Sequence, residues 1–293
     1  MKIKDKFILG TAQFSENYGL FGKKKLKKKD IFNILNLLKQ KKINRLDNSS
    51  DYKGSEIKIK NFKEKKWKIS TKIKFHQKDL VINNKDHLKK IILKKINLSK
   101  KKLGIRKFEI LLINNYEIFK PSLKKNIYEV LTNLKKRKFF DKFGYSIYNF
   151  KKLEKTISNF CPDVIQCPYN VFDLRLNNKK LQKIIKKNNI KIHARSVFLQ
   201  GLLLCNLKYI PKKFEKWESL FLKWEHWINK SNISKLGACI SHVLSNNCID
   251  KIIVGVKDIE ELKQILRLRK LKKIKPPKFY SKSKDILINP SKW

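Results

Sequence analysis

Short β-rich runs alternate with longer amphipathic stretches along the whole chain, and this alternation limits the possible folds more than any other feature. The runs that read as strands lie at residues 7–13, 45–48, 68–72, 108–114, 142–146, 163–166, 191–195 and 251–255. Apolar residues recur at helical spacing between them, which predicts helices over 30–41, 86–101, 122–138, 149–159, 179–188, 234–246 and 258–269. Asp30 stands where it would cap the first of these helices. Eight βα units in 293 residues predict an α/β fold, a closed (β/α)8 TIM barrel.

The chain has no linker-like tract rich in Gly, Ser or Pro, so we expect one domain over residues 1–293. The segment 205–230, rich in Trp and Lys, is expected to form an extra loop and helix before the last strand. No apolar run approaches the ~20 residues that a transmembrane helix needs. The N-terminus is too polar for a signal peptide. The sequence therefore predicts a soluble, cytoplasmic protein without a membrane partner.

The composition is strongly basic, with 72 Lys and Arg against 24 Asp and Glu and a net charge of +48. Such a charge could bind nucleic acid through phosphate neutralisation. However, the Lys residues are spread along the whole chain, and only seven of the 72 cations are Arg, the better bidentate phosphate ligand. We interpret the charge as compositional background and expect no specific nucleic-acid partner. Apolar residues make up 41% of the chain, which is enough to bury a core and excludes a disordered basic tail.

The cysteines and histidines show no metal-binding pattern. The five Cys residues form no C-x-x-C pair, and the five His residues show no H-E-x-x-H or H-x-H spacing. An odd, sparse set of Cys in a chain of this length also excludes a small disulfide scaffold. We expect no metal site.

Polar residues stand where the predicted strands end, and in a βα barrel these carboxyl ends form the mouth of the active site. These residues are Asp47, Lys72, Asn114, Ser146, Gln166, Arg195 and Ser196, with Tyr52 in the loop after the second strand and Gly255-Val256-Lys257 after the eighth. A phenol has a pKa near 10 and is a weak acid at neutral pH unless its anion is stabilised. A nearby ammonium favours the tyrosinate, and a carboxylate keeps that ammonium charged and oriented. Tyr52, Lys72 and Asp47 supply these three groups.

Several segments in order along the chain resemble motifs of the aldo-keto reductase superfamily. The segments are Leu9-Gly10-Thr11-Ala12-Gln13-Phe14 with Asn17-Tyr18-Gly19, Leu46-Asp47-Asn48-Ser49-Ser50-Asp51-Tyr52-Lys53-Gly54-Ser55-Glu56, Ser70-Thr71-Lys72, Gly144-Tyr145-Ser146, Asp163-Val164-Ile165-Gln166-Cys167-Pro168-Tyr169-Asn170 with Asp173 and Arg175, and Arg195-Ser196-Val197-Phe198-Leu199-Gln200-Gly201-Leu202-Leu203. The second is similar to the family signature DTA-x-x-YG-x-SE, with Gly54 one place later than usual. The last looks like the branch found with bacterial surface-sugar gene sets.

The resemblance implies carbonyl reduction by NAD(P)H without a metal. Tyr52 would donate the proton to the carbonyl oxygen as a hydride arrives from the nicotinamide, and Lys72 and Asp47 would assist. Ser146 and Gln166 match positions that hold the carboxamide. Gly255, Val256 and Lys257 match the segment that binds the adenosine end, with Ser196 also on the cofactor side. A cation at Lys257 suits a 2′-phosphate, so the expected cofactor is NADPH, with NADH as the alternative. Glu56 lies within the signature, where a structural role and a chemical role are both open.

The chain departs from the family pattern at two positions. Asn114 stands where the family has a catalytic His; its amide can donate a hydrogen bond to a carbonyl oxygen but cannot act as an acid. Arg195 stands where many relatives carry an aromatic residue that stacks on the nicotinamide. An Arg plane can also stack, and it could reach an anionic substrate. The chain has no G-x-G-x-x-G fingerprint, which fits a cofactor bound at a barrel mouth.

Three functions remain open at this point. The leading hypothesis is an NADPH-dependent reductase of a small or sugar-derived aldehyde or ketone. The alternative, motivated by Asn114, is a catalytically weakened barrel that binds the cofactor. The third, a nucleic-acid binder, depends on the net charge alone.

Overall fold

A computed structural model of the chain describes residues 3–15, 19–21, 26–62, 67–80, 84–116, 119–268, 274, 276–279 and 284–293. Asn17 and Tyr18 of the first motif, and Arg269 at the end of the last predicted helix, lie outside the described residues.

Eight parallel strands close into a barrel in the order in which they occur along the chain. The strands are β1 (Phe7–Gly10), β2 (Arg45–Asp47), β3 (Lys68–Ile73), β4 (Phe108–Asn114), β5 (Phe140–Ser146), β6 (Val164–Pro168), β7 (Lys191–Arg195) and β8 (Lys251–Val254). The pairing of β8 with β1 closes the ring. The predicted TIM barrel is therefore confirmed.

Helices alternate with the strands and cover the outside of the barrel. In the described residues the α-helices are α1 (Ile3–Lys6), α2 (Lys28–Gln40), α3 (Ser55–Lys60), α4 (Lys85–Leu103), α5 (Pro121–Lys136), α6 (Leu153–Asn159), α7 (Lys179–Lys187), α8 (Glu218–Ser231), α9 (Lys235–Leu244), α10 (Ile259–Arg267) and α11 (Lys284–Leu287). No helix in this described part of the chain is both long enough and apolar enough to span a membrane.

The helices pack because one face of each is apolar, and α2 illustrates the pattern. Ile31, Ile34, Leu35 and Leu38 are at most 3% exposed, as their 3.6-residue spacing predicts. The position of Asp30 differs from the prediction. The helix begins two residues earlier, so Asp30 lies in its first turn, where its carboxylate accepts a hydrogen bond from the backbone N–H of Lys27 at 2.9 Å. A carboxylate in the first turn still stabilises the helix through the dipole.

The segment between β7 and α9 packs on the barrel through buried Trp side chains. It contains 3-10 turns at Leu207–Tyr209 and Lys212–Trp217, followed by α8. Trp217 and Trp224 are each 2% exposed, and the indole N–H of Trp224 donates to the carbonyl of Leu203 at 3.1 Å. These contacts fix the segment beside the barrel mouth.

Element bounds differ from the prediction by one or two residues at several ends, and the larger differences include β1, α6 and α3. β1 ends at Gly10, because the chain turns into a 3-10 helix at Ala12–Phe14. The predicted helix at 149–159 begins only at residue 153, as α6. The short helix α3 was not predicted; its six residues follow Gly54, whose φ of 77° favours glycine.

Candidate active site

A cleft of about 920 Å³ opens at the carboxyl ends of the strands. It is lined by all but one of the predicted site residues: Asp47, Tyr52, Lys72, Asn114, Ser146, Gln166, Arg195, Ser196, Gly255 and Lys257. Val256 is 1% exposed and does not line the cleft. The barrel register brings these residues together, since Asp47 pairs with Gly10 and Ser70, and Ser146 pairs with Asn114 and Gln166.

A buried ion pair lies at the bottom of the cleft. Lys72 Nζ is 2.5 Å from Asp47 Oδ2, and the two side chains are 7% and 4% exposed. The other carboxylate oxygen of Asp47 accepts a hydrogen bond from Gln166 Nε2 at 2.7 Å. The charge of Asp47 thus holds both Lys72 and Gln166, which come from strands β3 and β6. Such a pair is stable in a buried site only when its geometry and hydrogen bonds compensate for desolvation.

Tyr52 lies above this ion pair, on the loop that follows β2. Its backbone N–H donates to the carbonyl of Ser49 at 3.0 Å, and its own carbonyl accepts from Ser55 N at 3.0 Å, so tight turns fix the loop on both sides. Lys72 Nζ is 5.6 Å from the centre of the Tyr52 ring. Burial raises the pKa of Tyr52 well above that of a free phenol, and the charge of Asp47 raises it further, while Arg195 lowers it. The phenol therefore keeps its proton at neutral pH.

Asn114 ends β4 and lines the same cleft. It is half-buried, and no hydrogen bond joins its side-chain amide to another residue in the described ranges. The amide is thus available to a ligand in the cleft.

Arg195 ends β7, and its guanidinium lies over an aromatic ring. The Cζ atom is 3.9 Å from the centre of the Tyr148 ring, and an N–H of the same group donates to the carbonyl of Ile147 at 2.8 Å. Ser196 follows with a φ of 56°, and its carbonyl accepts a hydrogen bond from Asn170 Nδ2 at 2.9 Å. The side chains of Arg195 and Tyr148 both line the cleft.

The segment after β8, the strand next to β7, also lines the cleft. Gly255 lies against the side chain of Gln13, which a Cβ at position 255 would approach to 1.9 Å. Lys257 Nζ is 4.0 Å from Glu261 Oε1, and the backbone N–H of Lys257 donates to Glu261 Oε2 at 2.7 Å. Lys257, the cation expected to favour a 2′-phosphate, therefore has the carboxylate of Glu261 beside it.

Glu56, within the signature segment, is buried outside the cleft. Its Oε1 accepts hydrogen bonds from Ser99 Oγ and from Asn48 Nδ2. Burial raises its pKa, with Ser99 and Lys102 opposing the shift. These contacts join α3 to α4 and to the end of β2, which favours the structural role over the chemical one.

Gln13, Tyr148 and Glu261 are among the residues that line the cleft and that the sequence interpretation did not assign to the site. For two of these residues, the position in the sequence relative to a predicted site residue could have indicated a place in the cleft. Tyr148 lies two residues beyond Ser146, and Glu261 lies one helical turn after Lys257. Gln13 had been placed in the first predicted strand, and nothing in its local pattern indicates the contact with Gly255.

The family model of the aldo/keto reductase family matches residues 6–281 of the chain. The chain belongs to the aldo/keto reductase family. Members of this family are oxidoreductases that use nicotinamide cofactors and act on small carbonyl substrates. As a member, the present chain is an oxidoreductase. The resemblance in the signature segments is thereby confirmed.

Solved structures of aldo-keto reductases share the fold at low sequence identity. One is PA4992 from Pseudomonas aeruginosa, which carries a provisional assignment as an aldo-keto reductase; it is 15% identical, with a TM-score of 0.64 over 90% of this chain and 88% of that one. Another is the aldo-keto reductase AKR11C1 from Bacillus halodurans, 14% identical, with a TM-score of 0.69 over 90% of this chain and 86% of that one. No curated protein sequence matches the chain.

The cleft of this aldo/keto reductase has donors and acceptors that fit a nicotinamide cofactor. Gln166 is fully buried, and its Oε1 has no hydrogen-bond partner among the described residues. An unpaired buried amide oxygen is costly unless a ligand donates to it, and the carboxamide NH₂ of a nicotinamide is such a donor. The residues present therefore fit the cofactor of the family.

Proposed function

We propose that the protein is an NADPH-dependent reductase that converts a small or sugar-derived aldehyde or ketone into an alcohol, with Tyr52 as the proton donor. The reaction adds two hydrogens across the carbonyl π bond, one as a hydride to carbon and one as a proton to oxygen. The nicotinamide, when bound, supplies the hydride with its two electrons. The protein's own residues supply the proton and hold both reactants.

The observation that carries the proposal is Tyr52 above the buried Lys72–Asp47 pair at the barrel mouth. Because the pKa of Tyr52 is raised, the phenol is protonated before substrate binds, and its anion has to be stabilised during proton transfer. As negative charge develops on the carbonyl oxygen, the phenol gives up its proton, and the resulting tyrosinate is stabilised by Lys72, whose ammonium lies 5.6 Å from the ring centre. Asp47 pairs with Lys72 and fixes its position.

The remaining residues of the cleft support binding and orientation. Gln166 Oε1 and the hydroxyl of Ser146 would hold the carboxamide, and the amide of Asn114 would donate to the carbonyl oxygen. Ser196 and the segment Gly255-Val256-Lys257 would hold the rest of the cofactor. Lys257 favours NADPH through its charge, and its contact with Glu261 reduces that preference, so NADH is the alternative cofactor.

The direct experiment measures cofactor binding and turnover separately. The protein is titrated with NADPH and with NADH, and binding is measured as quenching of Trp fluorescence. We expect saturable binding that is tighter for NADPH. Oxidation of NADPH at 340 nm across a panel of aldehydes and ketones is expected to show turnover. Absence of both binding and turnover would overturn the proposal.

A second candidate function is favoured by Asn114, which replaces the imidazole of the family. An amide cannot share in proton transfer, and loss of an acid–base group typically costs about 10²-fold or more in rate. The protein would then bind the cofactor and reduce carbonyl compounds only slowly. The variant Asn114→His separates the two candidates: a large gain in kcat with unchanged NADPH affinity supports the weakened barrel, and a fast native protein with no gain removes it.

A further inference from the structure

Among the described residues, Arg195 is a cation of the cleft that forms no ion pair with a carboxylate. Within the described residues, no Asp or Glu oxygen lies within ion-pair distance of its guanidinium. By contrast, Arg45 pairs with Glu109 at 3.0 Å and Arg175 pairs with Asp173 at 2.7 Å.

The guanidinium is nevertheless held in place. It stacks on Tyr148 and donates to the carbonyl of Ile147 at 2.8 Å, with a weaker contact to Ser196 Oγ at 3.4 Å. A guanidinium has five N–H donors, so three remain after these two contacts. A planar cation that is stacked, anchored and still rich in donors loses little side-chain entropy when it binds an oxyanion.

Arg195 also acts directly on the catalytic end of the cleft. Both Arg195 and Tyr52 line the cleft, and the positive charge of Arg195 lowers the pKa of Tyr52 against the effect of burial. Three of the carboxylates that line the cleft have other partners: Asp47 pairs with Lys72, Glu261 lies beside Lys257, and Asp258 accepts a hydrogen bond from the backbone N–H of Glu261. The remaining carboxylate, Asp51, is exposed at the rim beside Tyr52 and would repel an anionic ligand that bound next to it.

We propose that Arg195 selects carbonyl substrates that carry an oxyanion, a carboxylate or a phosphate, and binds that group through its free N–H donors while the carbonyl faces Tyr52. This proposal rests on the proposed reductase function and names the substrate class of the same site. The reaction itself is unchanged: the carbonyl carbon gains a hydride from bound NADPH, the oxygen gains the proton of Tyr52, and the oxyanion of the substrate takes no part in the bond changes.

The test uses matched pairs of substrates that differ only by the anion. Succinic semialdehyde against butanal probes the carboxylate, and glyceraldehyde 3-phosphate against glyceraldehyde probes the phosphate. For the native protein we expect kcat/KM to be at least about tenfold higher for the anionic member of one pair, expressed mainly in KM, as for a charge-assisted bidentate contact. The pair with the larger ratio identifies which oxyanion the site prefers.

Two variants assign the preference to Arg195. Arg195→Gln is expected to reduce the anionic-to-neutral ratio of kcat/KM by about 10- to 100-fold. Arg195→Lys should retain part of the preference for the anionic substrate, because lysine keeps the positive charge but cannot form the bidentate contact of a guanidinium. The control is Lys208→Gln, which removes one positive charge from an exposed side chain 5.0 Å from the ring of Tyr209 at the cleft rim. It should leave the ratio within about twofold, because exposed charges are largely screened.

An equilibrium measurement decides the proposal even where turnover is slow or a variant is unstable. Calorimetric titration of the native protein with NADP⁺ bound is expected to show binding of unreactive succinate and none of succinamide. Equal ratios in the native protein and Arg195→Gln would overturn the proposal. Equal kcat/KM values for the anionic and neutral members of both pairs, together with equal binding of succinate and succinamide, would also overturn it. Loss of NADPH affinity in Arg195→Gln with an unchanged ratio would also overturn it and would assign Arg195 to the cofactor. Native protein that binds succinate but reduces no carbonyl compound would contradict the proposed function alone.

Discussion

At the scale of single residues, loss of Lys72 is expected to destabilise the fold, because Lys72 pairs with the buried carboxylate of Asp47. The variant Lys72→Met would leave the carboxylate of Asp47 buried with Gln166 as its remaining partner. Breaking one side of a buried ion pair leaves an uncompensated charge, so we expect the free energy of unfolding to fall by about 3 kcal/mol. Urea denaturation measures this. The control Lys74→Met, at an exposed position just after β3, should change it by less than about 0.5 kcal/mol.

His193 gives the fold a dependence on pH. It lies two residues before Arg195 on β7, is 5% exposed, and its Nδ1 has no partner in the described part of the chain. Burial lowers the pKa of His193 to about 3, opposed by Asp250 and aided by Lys251, Arg45 and Lys142. Between pH 6.5 and pH 3 the unfolded chain therefore binds a proton at this histidine and the folded chain does not. The contribution of His193 to the free energy of unfolding is complete above pH 6.5 and is lost as the pH falls toward 3.

This shift predicts a loss of about 3 kcal/mol from His193 between pH 7 and pH 4. Urea unfolding of the native protein and of His193→Gln at these two pH values measures it, and the variant should lose correspondingly less. The exposed His76→Gln should show the same pH dependence as the native protein. Identical slopes for native protein and His193→Gln would contradict the assignment.

At the scale of elements, Gly144 sets the spacing between two strands. A Cβ at this position on β5 would meet the carbonyl oxygen of Val164 on β6 at 1.9 Å. Because a backbone atom cannot move aside as a flexible side chain can, Gly144→Ala should cost about 3 kcal/mol or more. Gly237→Ala in α9 is the control, and we expect it to change stability by less than about 1 kcal/mol because alanine favours a helix. Comparable thermal midpoints for the two variants would be inconsistent with this account.

The main elements could be predicted from the sequence because their patterns are local. The buried strands are apolar runs bounded by polar residues, and α2 shows a regular apolar face. The elements that were missed or misplaced are short or depend on backbone geometry. Helix α3 has only six residues and follows a glycine at positive φ, and β1 ends early because Ala12–Phe14 forms a turn that apolar content does not reveal.

The candidate site could be predicted to the extent that it follows strand ends and family motifs. Asp47, Lys72 and Gln166 are 25 and more positions apart in sequence, and the strand register places them in contact. The stacking of Arg195 on Tyr148 and the contact between Gln13 and Gly255 could not be predicted, because they depend on how side chains from distant strands are oriented. Their functions, like those of the other cleft residues, remain proposals.

At the scale of the whole molecule, the net charge of +48 is expected to lower the thermal stability of the fold. A surface of one sign repels itself, and salt screens that repulsion over a Debye length of about 10 Å at 0.1 M. We therefore expect the thermal midpoint to rise when NaCl is raised from about 0.02 M to about 0.3 M. A falling midpoint would mean that the ion pairs, such as Lys235 with Glu225, outweigh the repulsion. Differential scanning fluorimetry across the salt series measures the effect.

The central claim is that Tyr52 donates the proton in carbonyl reduction at the barrel mouth. The most direct test compares the native protein, Tyr52→Phe and the rim control Tyr209→Phe, for NADPH affinity by fluorescence quenching and for NADPH oxidation with the best carbonyl substrate. We predict that Tyr52→Phe keeps NADPH affinity within about twofold and loses about 10³-fold in kcat, while Tyr209→Phe loses less than about threefold. Turnover by Tyr52→Phe equal to that of the native protein would contradict the claim.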